Sequence, residues 1–215
     1  MLESWLGDTT LDEFRASCLQ RAPLARPATA HGAVPMLDWK ILGEVLGATS
    51  PAPDVLVVAS GKLLPFPPPR DLTELRAYMR MGIGLGMRHT QHCHPNLRAV
   101  ADAFERDVGT SQVQIFATPG GGAHGFSWHY DDEDVFIAQT AGTKDYYFRP
   151  NTVCPDTTAH GSVFHRFHDE TSPIHTATLV PGDFLYIPAR WWHMAICKED
   201  ALSISVGVFP RRPTP

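Results

Sequence analysis

The stretch GFSWHYDDEDVFIAQTAGTKDYYF, residues 125–148, decides the fold. Residues 134–139 form a β-branched and aromatic run, Gly142 breaks it, and a second run starts at Lys144. Runs this short, ended by glycine, read as antiparallel strands joined by tight turns. Working outward, the pattern recurs at 113–117, 176–180, 184–187, 194–197 and 202–208. Pro119, Pro150, Pro181, Gly182 and Pro188 stand between the runs. Many short strands at close spacing predict a mainly β fold, a sandwich or barrel of the jelly-roll kind.

Upstream of Gln112 the pattern is helical. Residues 12–20 form a short helix that Thr9 or Thr10 can cap, and 39–46 form a second. Asp71 precedes a stripe of Leu72, Leu75, Tyr78 and Met79. Residues 96–108 place Leu97, Val100, Ala101, Phe104 and Val108 on one face, with Gly109 to end the helix. The proline-rich segment 51–70 is a connector with one short strand at 54–59. The expected organisation is a mostly helical region over 1–110, a β-barrel over 111–210 and a short tail over 211–215.

The chain has 215 residues, 43% of them hydrophobic and 19% charged, as in an ordinary globular domain. Its net charge of −5 argues against direct nucleic acid binding through phosphates. No basic n-region leads into an apolar h-region, and no run of about 18 apolar residues predicts a membrane span. Cys18, Cys93, Cys154 and Cys197 are scattered without a CxxC pair. Free thiols, and a cytoplasmic location with no membrane partner, are expected.

His129 and Asp131 lie two apart, so in extended backbone both side chains point to one face. His193 follows a Pro181-Gly182-Asp183 turn, an apolar run, Pro188 and the Trp191-Trp192 pair. Two imidazoles and one carboxylate suit the facial triad of a non-haem Fe(II) site, with about three positions left open. A chelating 2-oxo acid fills two and O₂ the third. A closed zinc site would be built from cysteines, and none stands beside these residues. A His-x-Asp pair by itself is also met as a hydrogen-bonded core histidine beside a surface acid.

Residues 125–148 and LVPGDFLYIPARWWH, 179–193, resemble the JmjC and cupin-like 2-oxoglutarate oxygenases, among them the ribosomal oxygenases and the asparaginyl hydroxylase of hypoxia-inducible factor. The resemblance covers roughly 113–209. It implies a double-stranded β-helix, Fe(II) held by His129, Asp131 and His193, 2-oxoglutarate as co-substrate, and oxidation by O₂, usually hydroxylation. It implies that Lys144 binds the far carboxylate of 2-oxoglutarate and that Gln114 lies near the co-substrate. Ala201, Ser203, Ser205 and Gly207 share one face of the last strand, assigned inward, with Ser205 as the expected contact. Many relatives carry a hydroxyl residue three before the first histidine, where this chain has Phe126.

A protein or peptide side chain is the substrate class the resemblance favours. Ribosomal oxygenases carry C-terminal dimerisation and winged-helix regions that have no counterpart in these residues. A small molecule or peptide natural product is therefore the alternative substrate, demethylation of methyl-lysine a lesser one, and a homodimer stays open. A non-catalytic cupin-like sensor and a zinc or manganese isomerase are the competing classes. His89, His92 and His94 are expected to be a polar helix entry, Asp132 and Glu133 a solvated turn, Trp191 and Trp192 core or pocket wall, and Gly120 to Gly122 a mobile lip over the site.

Overall fold

A computed structural model describes residues 1–154 and 164–209. Seven expected strands are present as β5 (Ser111–Thr118), β6 (Asp134–Ala141), β7 (Lys144–Arg149), β8 (His175–Leu179), β9 (Phe184–Ile187), β10 (Trp192–Cys197) and β11 (Ala201–Val208). Four more precede them: β1 (Leu24–Arg26), β2 (Asp54–Ala59), β3 (Lys62–Leu63) and β4 (Gly84–Arg88). Only β2 was legible. β1 and β3 are too short for periodicity, and Gly84 and Gly86 weaken the strand signal of β4. Gly86 has a reason to be glycine, because a Cβ there would press on the rings of Phe116 and Phe126.

The strands form two antiparallel sheets, the double-stranded β-helix. The larger runs β1-β9-β6-β11-β5-β4-β2-β3 and the smaller β10-β7-β8. Strands from the first 110 residues therefore sit at both edges of the larger sheet. The helices α1 (Leu2–Trp5), α2 (Leu11–Ser17), α3 (Trp39–Leu46), α4 (Leu72–Arg80) and α5 (Pro95–Asp107) supply the cover of its outer face. Trp5, Phe14, Leu42, Leu97 and Phe104 pack there on Ile115, Phe136, Phe184, Tyr186 and Ile204. Capping is as the chemistry predicts: Thr10 and Glu13 form a capping box on α2, while Asp38 and Asp71 cap α3 and α4. α5 starts at Pro95, whose fixed φ suits a first helical position.

The inner face meets the smaller sheet. Val135, Ile137, Leu185 and Ile187 pack against Tyr146, Phe148 and Leu179. β11 is buried on both faces because it lies between these layers. Its two-residue repeat sends Leu202, Ile204 and Val206 to the helices, and Ser203, Ser205 and Gly207 to the interior. The expected tail, 211–215, lies outside the described residues. Among the described residues no helix is long and apolar enough to cross a membrane, and all four cysteines are free.

Candidate active site

His129 and His193 are far apart in the chain and directly opposite in space. They form an isolated antiparallel bridge, exchanging N–H···O bonds of 3.1 and 2.8 Å. That pairing places the imidazole centroids 4.2 Å apart. The backbone N–H of Arg190 donates to the Asp131 carbonyl at 2.7 Å, tying the turn before β10 to the segment before β6. Asp131 Oδ2 lies 3.4 Å from His193 Nε2 and 4.0 Å from His129 Nε2.

The donors fit a divalent metal. One ligand atom from each of His129, Asp131 and His193 lies within 4.8 Å of the others. His129 Nδ1 bonds the Ser127 carbonyl at 2.7 Å and His193 Nδ1 the Trp191 carbonyl at 3.0 Å. Each carbonyl engages the Nδ1 side, so both Nε2 atoms turn toward Asp131, where a cation would sit. Burial, and then the positive charge of His193, push His129 down to about 4, so it is neutral at physiological pH. Burial also works against charge on His193, but the hydrogen bond and charge of Asp131 outweigh it and raise that pKa. The Asp131 side chain is 39% exposed, which leaves the triad open on one side, as a catalytic site requires.

The alternating residues turn the other way. Tyr130 and Trp192 meet edge to face at 5.0 Å, and Phe167 packs on Trp128 and Trp192 at 4.6 and 5.3 Å. Glu170 anchors this layer. Its carboxylate accepts from Trp192 Nε1 at 3.2 Å, from the Thr152 N–H and hydroxyl at 2.7 Å each, and from the N–H groups of Thr171 and Ser172. Burial alone would raise its pKa, but these donors hold it at about 2. Glu170→Leu is expected to cost about 3 kcal/mol in urea unfolding, because buried donors lose their acceptor. The carboxylate's contribution is complete above its unfolded pKa of 4.5 and is lost as pH falls toward about 2. The stability difference between wild type and variant should shrink over that window.

His129, Asp131, His193, Lys144, Gln114 and Ser205 all line one cavity between the sheets. Lys144 is 3% exposed and donates to Ser203 Oγ at 3.1 Å. Its Nζ stands 5.8 Å from the centre of the Phe116 ring. Among the described residues no carboxylate pairs with it, and burial lowers its pKa. In register, Lys144 faces Cys197 and Phe148 faces His193. The lysine and the second histidine thus look into the same interior, roughly 13 Å apart along the strands at 3.3 Å per residue.

Ser203 bonds Lys144, and Ser205, the expected co-substrate contact, also points inward. Gln114 donates to Glu133 Oε1 at 2.6 Å. Asp132 and Glu133 are no solvated turn: Asp132 lies 3.3 Å from Arg190 Nε, and Glu133 is buried in the cavity wall. Burial, and then the charge of Asp131, push Glu133 up to about 7. Gly120 to Gly122 are not a free lip, since their N–H groups bond Asp200 Oδ1 and the carbonyls of Lys198 and Cys197. His94 caps α5 through Nδ1 and meets Glu44 at 3.1 Å. Phe126 lies against His129, with ring centres 5.4 Å apart, and lines the cavity. Tyr146 was missed as a wall residue; its position two after Lys144 carries the signal.

The sequence profile of the JmjC domain matches residues 87–214. The chain belongs to the JmjC domain family. Comparison with single proteins shows how far the likeness extends. The bifunctional lysine-specific demethylase and histidyl-hydroxylase NO66 of Dictyostelium discoideum is 36% identical over 109 residues, covering 49% of this chain and 20% of that protein. A probable ribosomal oxygenase of Haemophilus influenzae is 31% identical over 106 residues, covering 45% and 23%. The ribosomal oxygenase YcfD of Escherichia coli, solved with cobalt and 2-oxoglutarate, superposes with a TM-score of 0.64 at 21% identity, covering 94% of this chain and 52% of that one. The JmjC chain thus spans about a fifth of the curated relatives it matches and about half of the solved neighbour.

Proposed function

We propose that this chain is a 2-oxoglutarate- and Fe(II)-dependent dioxygenase that hydroxylates an amino-acid side chain in a protein or peptide. The observation that carries this reading is one cavity holding both an open two-histidine, one-aspartate triad and a buried lysine that has no carboxylate partner among the described residues. His129 and His193 would hold the metal through Nε2, and Asp131 through a carboxylate oxygen. When bound, Fe(II) supplies O₂ activation coupled to decarboxylation of 2-oxoglutarate to succinate and CO₂. Lys144 pairs with the distal carboxylate, and Ser203 orients its ammonium. Ser205 lines the co-substrate side, and Gln114 reaches from it toward Glu133. Phe126, Val135 and Ile137 keep bulk water out, which strengthens the polar contacts inside. The protein's part is positioning and electrostatics.

A protein or peptide substrate is supported by the relatives, whose names describe hydroxylation of histidyl residues, demethylation of lysine and oxidation of ribosomes. Free cysteines and the lack of a membrane-crossing helix among the described residues support a cytoplasmic setting. Aerobic incubation with Fe(II) and 2-oxoglutarate is expected to yield succinate. Calorimetry under argon with Co(II) in place of iron is expected to show 2-oxoglutarate binding only in the presence of metal. Metal-independent binding, or none, would overturn the reading.

A further inference from the structure

The cavity has a second buried ionisable group, a carboxyl, at the end away from Lys144. Asp131, Glu133, Val135 and Ile137 alternate into the interior, and all four line the cavity. Glu133 is 9% exposed. Among the described residues the hydrogen bond from Gln114 is the one its carboxylate receives, at Oε1. A carboxylate can accept about four. The fold makes room for it: a Cβ at Gly207 of β11 would overlap the carboxylate of Glu133. Ser203, which marks the Lys144 end, is four residues from Gly207 on the same strand, roughly 13 Å at 3.3 Å per residue. A lysine side chain cannot close that gap.

The neighbouring acids have other employment. Asp131 faces both triad histidines, Asp132 meets Arg190, and Asp134 accepts from the Tyr186 hydroxyl at 2.5 Å and the Ala189 N–H at 3.2 Å. Glu133 is the acid of this run that neither the triad nor the turn uses. A buried carboxylate is costly unless it is paired. Its open accepting positions lie in the wall of a cavity that already has an anion-binding lysine at the other end.

The geometry points to Glu133, seated by Gln114 on the bare backbone of Gly207, as a subsite for the prime substrate that takes a cationic side chain, a guanidinium or an ammonium. This rests on the oxygenase reading of the same cavity and narrows its substrate class. A guanidinium would engage both carboxylate oxygens and an ammonium one. The contact would hold the substrate by its charged end and leave its aliphatic carbons beside the triad. A purely structural Glu133, orienting Asp131 or His193, is the competing account.

The test uses the Co(II)-loaded protein with 2-oxoglutarate under argon, so that binding is read without turnover. N-acetyl-lysine methylamide, N-acetyl-arginine methylamide and the uncharged Nε-acetylated lysine probe are titrated by calorimetry. Wild type is expected to prefer the cationic probes at least about 10-fold over the uncharged one. Glu133→Gln is expected to bring that ratio to within about 2-fold. Glu133→Ile gives the same expectation should the amide variant fold poorly. No preference for the cation in wild type, including no binding of it, overturns the subsite. Equal weakening of charged and uncharged probes by Glu133→Gln also overturns it, in favour of the structural role. Failure of wild type to bind 2-oxoglutarate sinks the oxygenase reading and the subsite together, whereas 2-oxoglutarate binding without a cation preference sinks the subsite alone.

Discussion

His129→Ala and Asp131→Ala are each expected to lower Fe(II)- and 2-oxoglutarate-dependent succinate formation by about 10³-fold or more. Loss of a group that merely supports a metal ligand costs roughly 10- to 100-fold, and these residues are the ligands themselves. The three donors lie within 4.8 Å of one another, so removing one leaves a two-point site that cannot hold three facial positions. The fold should survive. The His129–His193 bridge is made by backbone groups, which alanine keeps, and His129 and Asp131 precede β6 rather than sit within it. Melting temperatures within a few degrees of wild type, with the Co(II) absorption of the bound metal lost, are the expected pattern. Full succinate production by both variants would refute the metal assignment.

Lys144→Met is expected to separate binding from stability. The KM for 2-oxoglutarate should rise about 100-fold or more, since removing one partner of a buried charge pair costs roughly 2–5 kcal/mol. The unliganded protein should become more stable, by about 1–2 kcal/mol, because an apolar side chain of similar length replaces a buried cation that has no carboxylate partner among the described residues. pH supplies an independent check. Burial holds the folded pKa of Lys144 below its ordinary 10.5. Between the two values the unfolded chain binds more protons, so the stability of the unliganded wild type should gain from Lys144 as pH rises through that window. Affinity for 2-oxoglutarate should fall over the same range, because the carboxylate needs the charged ammonium. Both slopes should vanish in Lys144→Met. Retained 2-oxoglutarate affinity in the variant would remove Lys144 from the co-substrate site.

Short periods carried most of what could be read in advance. The alternation of apolar residues and the turn residues located β5 to β11, and apolar stripes with caps at α2 and α4 and a terminal glycine at α5 located the helices, because these features depend on neighbours within a few residues. The same two-residue period put His129 with Asp131 and Ser203 with Ser205 on shared faces. Glu133 escaped, although it belongs to the same series as Asp131 and Val135. A run of four acids looks solvated until Gly207 and Gln114, distant in sequence, are found beneath and beside one of them. β4 escaped because its glycines read as a break, and only distant neighbours explain them: the Ala117 carbonyl and Pro119 crowd Gly84, and the Phe116 and Phe126 rings crowd Gly86.

Local sequence thus determined the strand character of the chain, the His129–Asp131 pair and the orientation of Lys144 along β7. Tertiary structure alone decided that His193 stands opposite His129, that Ser203 holds Lys144, and that Glu133 is buried. The division has one physical cause. Side-chain direction along a strand is a property of its own backbone, whereas the partner across a sheet is chosen by register with a strand dozens of residues away.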